Sequence, residues 1–343
     1  MNKILTAFLT DACEYVLSPI NNGLIHQSFL VLKNDHPQYI LQQFNHSVFQ
    51  QPDIIAQNNH HIRRQILAND PTYPVLTFLF TNDGNPFYRD EQQNMWRLME
   101  YLPDTVSIEK MTSPNQAILI AGAFGKFTNL LKDMDMGNLH PAIPEFHNLS
   151  LRYQQFEQAL YNAHPIKKYN AEKLIQFLQV NSFIKETYGH LVRNNILPIR
   201  VQHCDTKISN LLFDPRSGAP TCVIDWDTVM PGYFLSDLGD MIRSLSFSGD
   251  ENETDLQQLT WNKEIYEAIV NGYTALAALT EKEKEWIPFA GPFMIYQQAL
   301  RFLTDYLNGD EYYVIRYPGQ NLDRAKNQCH ILQLLSDYVK FPR

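Results

Sequence analysis

The polar residues between positions 201 and 214 have the types and the spacing that phosphoryl transfer needs. The run reads VQHCDTKISNLLFD, with Asp205 and Asn210 five positions apart, His203 before the aspartate and Lys207 after it. A carboxylate can accept the proton of an attacking hydroxyl group, an amide oxygen can bind a metal ion without adding charge, and an ammonium group can neutralise a phosphoryl group. The pattern therefore predicts Asp205 as a catalytic base, Lys207 as a charge-neutralising catalytic group and Asn210 as a metal ligand.

A second carboxylate, Asp225, completes the predicted metal site. Two short apolar strands, over residues 211–213 and 222–226, are separated by the turn-forming sequence DPRSGAP, which predicts a hairpin. The hairpin returns Asp225 to the neighbourhood of Asn210. Because Mg²⁺ is bound by a few protein oxygens together with phosphate oxygens and water, we predict that Asn210 and Asp225 hold Mg²⁺ beside a nucleotide.

Neighbouring residues also have structural interpretations. Asp205 and Asn210 can cap a turn, although the downstream aspartate favours the metal site. His203 is expected to brace the loop through hydrogen bonds to backbone rather than to transfer a proton. Structural roles as loop braces, helix caps or core residues are also expected for Asp237, Asp240 and Trp226.

The first 102 residues have the mixed pattern of a small sheet packed against a helix. The turn-prone sequences NDHP and NDGN separate apolar stretches, which predict strands over residues 28–33, 38–44, 74–80 and 95–102. Apolar residues at helical spacing predict a helix over residues 53–67. The opening sequence, MNKILTAFLTDACEYVL, is interrupted by Asp11 and Glu14, so it is interpreted as an amphipathic helix and not as a signal peptide.

After Pro103 the sequence is mostly helical in pattern. Helices are predicted over residues 115–134, 151–163, 171–192, 266–279 and 322–339. A chain of 343 residues is long for one core. We therefore predict an α+β protein with two lobes: a small sheet-containing lobe over residues 1–102 and a larger helical lobe over residues 103–343.

Composition excludes two classes of partner. The formal net charge of -9 opposes binding to a nucleic-acid backbone. No segment approaches the ~20 consecutive apolar residues of a membrane-spanning helix. The four cysteines form no closely spaced pair, which fits a reduced, cytoplasmic setting.

These motifs resemble the aminoglycoside-phosphotransferase and choline-kinase superfamily. HCDTKISN, followed by IDWDTVMPGYFLSDLGDMIRS, is similar to the HxDxxxxN loop and the IDW or IDxD strand of that superfamily. Other stretches resemble its N-acetylhexosamine 1-kinase branch, and together they extend over almost the whole chain: YILQQFN, MWRLMEYLPDT, AFGKFTNLL, IPEFHNLSLRYQQF, RFLTDYLNGDEYY and NLDRAKNQ.

The resemblance implies a protein-kinase-like fold that binds ATP between two lobes and transfers its γ-phosphoryl group to the anomeric hydroxyl of an N-acetylhexosamine, GlcNAc or GalNAc. The MEYL segment would be the hinge, with Glu100 and Leu102 offering backbone groups to adenine. The turn NNGLIHQS, which has a single glycine, would cover the phosphates through Asn22 and Gly23.

The chain departs from the kinase pattern at a pair of charged residues. Such kinases usually carry a lysine on the third strand, paired with a glutamate on the following helix. Here Gln42 and Gln43 stand at the lysine position, and Asn58 and Asn59 at the glutamate position. Losing both partners leaves no unpaired buried charge, but it removes a cation from the phosphates. The groups that can offset this loss are the metal ion, Lys207, Arg63 and Arg64.

An acceptor sugar needs directional hydrogen bonds and an aromatic surface. The sequence RFLTDYLNGDEYY places Arg301 and Asp305 one helical turn apart, followed by Tyr312 and Tyr313. We predict Arg301 and Tyr312 as substrate contacts, with His26 reaching into the same cleft. An Arg301–Asp305 ion pair and core packing of the tyrosines are the structural alternatives.

Three other functions remain open from the sequence. A kinase of the same fold can act on another sugar or on an amino alcohol, and a choline-like acceptor would favour an aromatic and acidic box. The missing lysine–glutamate pair motivates a nucleotide-binding pseudokinase. A metal-dependent hydrolase using His203 and Asp205 is the weakest option, because no further ligand cluster accompanies these two residues.

Overall fold

The structure is a computed structural model that describes residues 2–20 and 26–341. Its first part contains one antiparallel sheet in the order β1-β2-β3-β6-β4, with β5 also paired to β6. The strands are β1 Tyr15–Ile20, β2 Gln27–Lys33, β3 His36–Phe44, β4 Phe78–Leu79, β5 Tyr88–Arg89 and β6 Met95–Glu100.

The two faces of this sheet have different neighbours. Helix α1, Asn2–Thr6, covers the outer face, where Trp96 and Leu98 of β6 pack with Val31 and Leu41. Because side chains alternate along a strand, Arg97 points to the inner face, toward the cleft. Arg97 lies opposite Gln42 in the register of β3 with β6.

Helix α2, Pro52–Asn69, is the helix packed against the sheet. It begins with a proline in its first turn, where the missing N–H has no partner to lose. Ile55, Ile62 and Ile66 recur at helical spacing and are buried.

The larger lobe contains ten helices among the described residues. They are α3 Pro114–Leu130, α4 Leu149–Asn162, α5 Pro165–Asn170, α6 Glu172–Val180, α7 Phe183–Arg193, α8 Leu235–Leu245, α9 Lys263–Leu276, α10 Glu281–Glu285, α11 Ile287–Asn308 and α12 Gln320–Ser336. None of the helices in the described ranges is long and apolar enough to cross a bilayer.

Close packing of α3 against α9 fixes the helix that underlies the motif loop. A β-carbon on Gly272 would overlap the backbone of Ile118, so only glycine permits this approach. On the other side of α3, Phe124 and Phe127 contact the ring of His203 edge-on.

Five short strands position the polar motifs. They are β7 Val106–Ser107, β8 Arg200–Gln202, β9 Leu211–Phe213, β10 Pro220–Val223 and β11 Met230–Gly232. The hairpin β9–β10 also pairs with β7, and β8 pairs with β11. Residues 203–210 therefore connect β8 to β9, while residues 224–229 connect β10 to β11. The two segments that carry the motifs start and end on neighbouring strands.

The two-lobed α+β fold predicted from the sequence is confirmed, whereas several element boundaries were wrong. The predicted strand over residues 74–80 is reduced to Phe78–Leu79, and the strand predicted over residues 95–102 ends at Glu100. The hairpin is present, although its second strand is Pro220–Val223 rather than residues 222–226, which leaves Asp225 in the turn beyond it.

Two helix predictions were also wrong. The first helix ends at Thr6, and Tyr15–Ile20 is a strand because it pairs along its length with β2. The predicted helix over residues 171–192 is two helices, since the Asn181 side chain donates to the Phe177 carbonyl at 2.9 Å and caps the end of α6.

Candidate active site

Asp205, Lys207 and Asn210 converge in the loop between β8 and β9. The Asn210 amide nitrogen donates to the Asp205 carboxylate at 3.0 Å and to its backbone carbonyl at 2.8 Å. Lys207 Nζ lies 2.8 Å from the same carboxylate. Burial opposes the charge of Lys207, but the Asp205 carboxylate outweighs burial and raises the lysine pKa. The loop therefore holds a carboxylate, a cation and an amide within hydrogen-bonding distance.

The loop is braced by hydrogen bonds with buried groups. Asp237 accepts the backbone N–H of His203 at 2.9 Å and that of Cys204 at 2.8 Å. Asp240 accepts the N–H of Thr206 at 3.1 Å, so both aspartates are loop braces, as predicted. The His203 ring donates through Nε2 to the Ile224 carbonyl at 2.9 Å, which confirms the bracing interpretation of this histidine.

Asp225 lies beside Asn210 because the backbone N–H of Ile224 donates to the Asn210 carbonyl at 2.9 Å. Asp225 has a left-handed backbone conformation, with φ 61° and ψ 63°, which aspartate tolerates better than most residues. Burial, together with the nearby carboxylates of Asp227 and Asp205, raises the pKa of Asp225 to about 6. This carboxylate forms no ion pair with any residue of the described ranges.

The donor set at this point fits a divalent cation. Crowded carboxylates with a raised pKa are stabilised by a cation from outside the protein. The Asn210 amide donates through its nitrogen, which leaves the amide oxygen as a possible ligand. In the described part of the chain no three His, Cys, Asp or Glu side chains are arranged so that they could hold a metal ion together. Asp225 and Asn210 would therefore hold the ion with help from substrate oxygens and water.

Two residues beyond Asp225, a buried charged cluster joins the lobes. Arg97 of β6 donates through both Nη atoms to the Asp227 carboxylate, at 2.7 Å each. Its Nε and Nη2 atoms also donate to the side-chain oxygen of Gln42, at 2.8 and 2.6 Å. His26 accepts the Asn45 N–H through Nδ1, so its Nε2 carries the proton that it donates to Asp227 at 2.9 Å.

The charge state of Asp227 is opposite to that of Asp225. Burial opposes ionisation of Asp227, but the Arg97 guanidinium and the hydrogen bond from His26 hold its pKa well below the ordinary range. Both Arg97 and Asp227 are buried, at 4% and 1% exposure. The pair is therefore a fully desolvated ion pair with its hydrogen bonds satisfied.

This cluster was missed in the sequence, where Gln42 was interpreted only as a lost lysine. In the structure Gln42 positions an arginine that comes from the next strand of the sheet. A signal was present, because Arg97 stands in the middle of the apolar run MWRLME, and a charged residue in a buried strand requires a partner. Its partner, Asp227, is 130 positions away, and nothing in the sequence connects the two.

The other nucleotide-side predictions fall at separate places. The N–H of Leu102 forms no hydrogen bond within the described ranges, and Glu100 ends β6 close to it; their contact with adenine stays a prediction. Asn22 and Gly23 lie outside the described residues. Asn58 is engaged in two hydrogen bonds with the backbone of His140, while Asn59 lies against a cavity described below. Neither Arg63 nor Arg64 forms an ion pair with another described residue.

The predicted acceptor residues Arg301 and Tyr312 lie together. The Arg301 guanidinium is 5.1 to 5.7 Å from the ring centres of Phe146, Tyr312 and Tyr313. The alternative Arg301–Asp305 ion pair does not form, because Asp305 accepts the backbone N–H groups of both tyrosines. Both ring nitrogens of His26 are engaged elsewhere, Nε2 with Asp227 and Nδ1 with the backbone N–H of Asn45.

His147 lies near both Arg301 and Asp240, and Asp240 links this region to the catalytic loop. Asp240, which holds the loop at Thr206, also pairs with Arg243 at 2.9 Å. Burial, followed by the charge of Arg301, lowers the pKa of His147 to about 3. The Nδ1 of His147 and the hydroxyl of Tyr313 are buried without a hydrogen-bond partner in the described structure. Unpaired buried polar atoms of this kind are suited to hydrogen bonds with a substrate.

Comparisons with known proteins identify the family and the fold. A family model described as "Phosphotransferase enzyme family" matches residues 16–279, more than half of the chain. A microcompartment-associated aminopropanol kinase is 18% identical, with 99% of this chain and 98% of that chain aligned and a TM-score of 0.66. An aminoglycoside phosphotransferase from Alicyclobacillus acidocaldarius is 12% identical, covering 98% and 94% of the two chains with a TM-score of 0.64.

A third solved structure contains a nucleotide analogue. The amicoumacin kinase, in complex with AMP-PNP and Ca²⁺, is 12% identical, covers 99% of this chain and 93% of that chain, and has a TM-score of 0.59. At these identities the three structures show that the fold is shared.

Proposed function

This chain belongs to the phosphotransferase enzyme family, and from that premise we propose that it is an ATP-dependent kinase for the anomeric hydroxyl of an N-acetylhexosamine. The observation that carries the proposal is the convergence of Asp205, Lys207 and Asn210 with Asp225 at one point of the cleft. A catalytically inactive nucleotide-binding protein has no chemical need for all four groups.

Asp205 has the geometry of a general base. It is only partly buried, and its carboxylate is held by Asn210 and Lys207. In the proposed reaction the sugar oxygen forms a bond to the γ-phosphorus while its proton passes to Asp205. The bond from the γ-phosphorus to the bridging oxygen breaks, and ADP leaves with the electron pair. Positioning and charge neutralisation supply most of the rate enhancement in such a transfer, so no covalent intermediate with the protein is required.

The positive charge that would neutralise the phosphates comes from the loop that carries Lys207 and from the metal ion held beside it. Asn210 and Asp225 would hold Mg²⁺, which would neutralise phosphate charge when bound. Lys207 supplies a second positive charge next to Asp205. Arg97 is not assigned the role of the usual lysine at the phosphates. Its guanidinium already donates four hydrogen bonds, two to Gln42 and two to Asp227. Its role is to orient Asp227 and thereby the turn that carries Asp225.

The charge around Arg301 supports a neutral sugar over an amino alcohol as the acceptor. Burial first, and the charge of Arg301 second, lower the pKa of His147, and both would also oppose an ammonium group placed beside this histidine. A sugar can instead accept hydrogen bonds from Arg301 and bond to the unpartnered Tyr313 hydroxyl. The aminopropanol kinase fold remains the reason to assay the amino-alcohol alternative.

The test is an ADP-release assay of the full-length chain with ATP, Mg²⁺ and a panel of acceptors. The panel contains GlcNAc, GalNAc, glucose, galactose, aminopropanol, ethanolamine and choline. We expect release only with the N-acetylated sugars, and a phosphorus NMR signal of a sugar 1-phosphate. A phosphorylated amino alcohol as the main product would refute the acceptor assignment. Nucleotide binding without ADP release for any acceptor would favour the pseudokinase instead.

The setting proposed for this reaction is the cytoplasm, where ATP is available. All four cysteines are free thiols, and three of them are buried. A reducing compartment keeps such thiols unpaired.

A further inference from the structure

A second cavity lies on the other side of Arg97 from the catalytic loop. It has a volume of about 300 Å³ and is enclosed by α2, the β4 region and the turn before β5. This volume is at the lower end of the range that small-molecule sites occupy. Of the residues considered above for the nucleotide, the metal ion or the acceptor, only Arg63 lines it. The lining residues are Ala56, Asn59, His60, Arg63, Thr77, Phe78, Leu79, Phe80, Pro86, Phe87 and Arg97.

The walls of this cavity are mainly aromatic and aliphatic. Phe78, Phe80 and Phe87 line it, and Phe80 at the edge is 58% exposed although it is a large apolar residue. Water finds few hydrogen-bond partners in a cavity lined mostly by carbon atoms. A flat apolar ligand would instead remove this apolar surface from solvent. The cavity therefore fits a ligand with a planar, apolar body.

Two of the lining residues carry polar atoms without hydrogen-bond partners in the described structure. Asn59 is 4% exposed, and its side-chain oxygen has no hydrogen-bond partner in the described structure. The Nε atom of Arg63 is likewise buried without a partner, and no described carboxylate pairs with Arg63. Buried polar atoms are rarely left unpaired in a folded protein unless a ligand or water completes them.

The charge of the lining residues selects the sign of the ligand. Arg63 and Arg97 both line the cavity, and no acidic residue does. Arg97 is compensated by Asp227 on its far side, so Arg63 is the uncompensated cation. An Arg63 guanidinium paired with a carboxylate would gain a charge-assisted hydrogen bond in a partly desolvated site.

From this combination we propose that the cavity between α2 and β4 is a binding site for a small aromatic carboxylate, separate from the nucleotide and acceptor sites. The ring lies among Phe78, Phe80 and Phe87, and the carboxylate accepts hydrogen bonds from Arg63 Nε and from the Asn59 amide, which can turn to present its nitrogen. Arg97 forms part of the cavity wall and also donates hydrogen bonds to Asp227. A bound ligand would therefore contact the charged cluster that joins the lobes.

The experiment measures the binding of 2-naphthoate to the full-length chain by calorimetry and ligand-observed NMR, first without nucleotide and then with saturating AMP-PNP and Mg²⁺. We expect saturable binding that is at least tenfold weaker for neutral 2-naphthamide and undetectable for 2-naphthylmethylammonium. Arg63→Gln should weaken naphthoate binding at least tenfold, which is the size expected for one charged hydrogen bond. Phe80→Ser, at an exposed edge position that tolerates change, should weaken it severalfold.

Arg64→Gln is the matched control, since Arg64 is the exposed neighbour of Arg63 on the same helix and does not line the cavity. It should leave the affinity for naphthoate unchanged. Absence of saturable binding, equal affinity in the wild type and Arg63→Gln, or displacement by AMP-PNP would each overturn the proposal. The acceptor assay has no bearing on these outcomes, so this site and the sugar kinase activity stand or fall separately.

Discussion

On the two sides of the cleft, two neighbouring carboxylates have opposite shifts in pKa. On the sheet side, Asp227 receives two hydrogen bonds from Arg97 and one from His26, and its pKa is lowered. On the loop side, Asp225 has no cationic partner within the described ranges, and its pKa is raised to about 6. The two residues are separated by one tryptophan, which lies in the core as predicted.

The difference shows which acid serves the fold and which is available for chemistry. A buried carboxylate with a satisfied ion pair stabilises the arrangement of its neighbours, and removing one partner leaves an uncompensated charge. A carboxylate without a cationic partner in the protein lowers the stability of the fold. It can bind a metal cation from solution instead. Such groups are concentrated at functional sites. Substitutions on the loop side should therefore affect chemistry, while those on the sheet side should affect folding.

The largest effect is expected for Asp205→Asn on the loop side. Loss of the general base should reduce kcat for the accepted sugar by about 10³-fold, which is about 4 kcal/mol. Nucleotide affinity and the free energy of unfolding should change little, because the amide keeps the size of the side chain. Steady-state kinetics and AMP-PNP calorimetry measure both quantities, with the exposed Asp133→Asn as the control. Wild-type turnover by the variant would refute the role of Asp205.

Asp227→Asn should be the most destabilising change on the sheet side. It leaves the buried guanidinium of Arg97 without its counter-ion, and the free energy of unfolding should fall by about 3 kcal/mol. Urea denaturation measures this change. The double variant Arg97→Gln, Asp227→Asn should lose clearly less than the sum of the single variants, because each partner makes the other costly. Additive losses would show that the two residues do not act as a pair.

Asp225→Asn should have the opposite sign in the metal-free protein. Removing a carboxylate with a raised pKa should increase the free energy of unfolding at pH 8 by about 1 to 2 kcal/mol, a value reduced for the solvent contact that Asp225 retains. Turnover should be lost at the same time. Mg²⁺ with AMP-PNP should stabilise the wild type and not the variant. Equal destabilisation by Asp225→Asn and Asp227→Asn would remove the distinction between the two sides.

The same stability difference should depend on pH. The folded chain holds the Asp225 proton up to about pH 6, whereas an unfolded aspartate releases it near pH 4. Ionisation therefore opposes folding, and the wild type should lose stability relative to Asp225→Asn as the pH rises from about 4 to about 6. Parallel stability curves for the two proteins across this window would contradict the raised pKa.

Arg97→Lys should give the smallest effect. Lysine keeps the charge but cannot bond to Asp227 and Gln42 with a planar fork, so about 1 kcal/mol of unfolding free energy should be lost. Thermal melts beside Arg97→Gln give the comparison, and lysine should retain most of the stability that glutamine loses. If both variants are equally destabilised, the fork geometry rather than the charge is what matters at this position.

Much of the site could be predicted because its residues are close in the sequence. Asp205, Lys207 and Asn210 occupy one loop, and the turn DPRSGAP brings Asp225 back to them through a hairpin of a few residues. Element boundaries were less predictable where tertiary contacts decide. Tyr15–Ile20 is a strand because β2 pairs with it, and the helix break at Asn181 depends on one side-chain hydrogen bond.

The sequence by itself determined the set of polar residues in the loop, the hairpin that places Asp225 and the division into a sheet lobe and a helical lobe, because local patterns carry all three. Only the tertiary structure decided that Arg97 of β6, and not a residue of β3, supplies the buried cation, and that Asp227 rather than Asp225 receives it. The physical reason is that partners 130 positions apart are selected by sheet register and lobe packing, which no local spacing encodes.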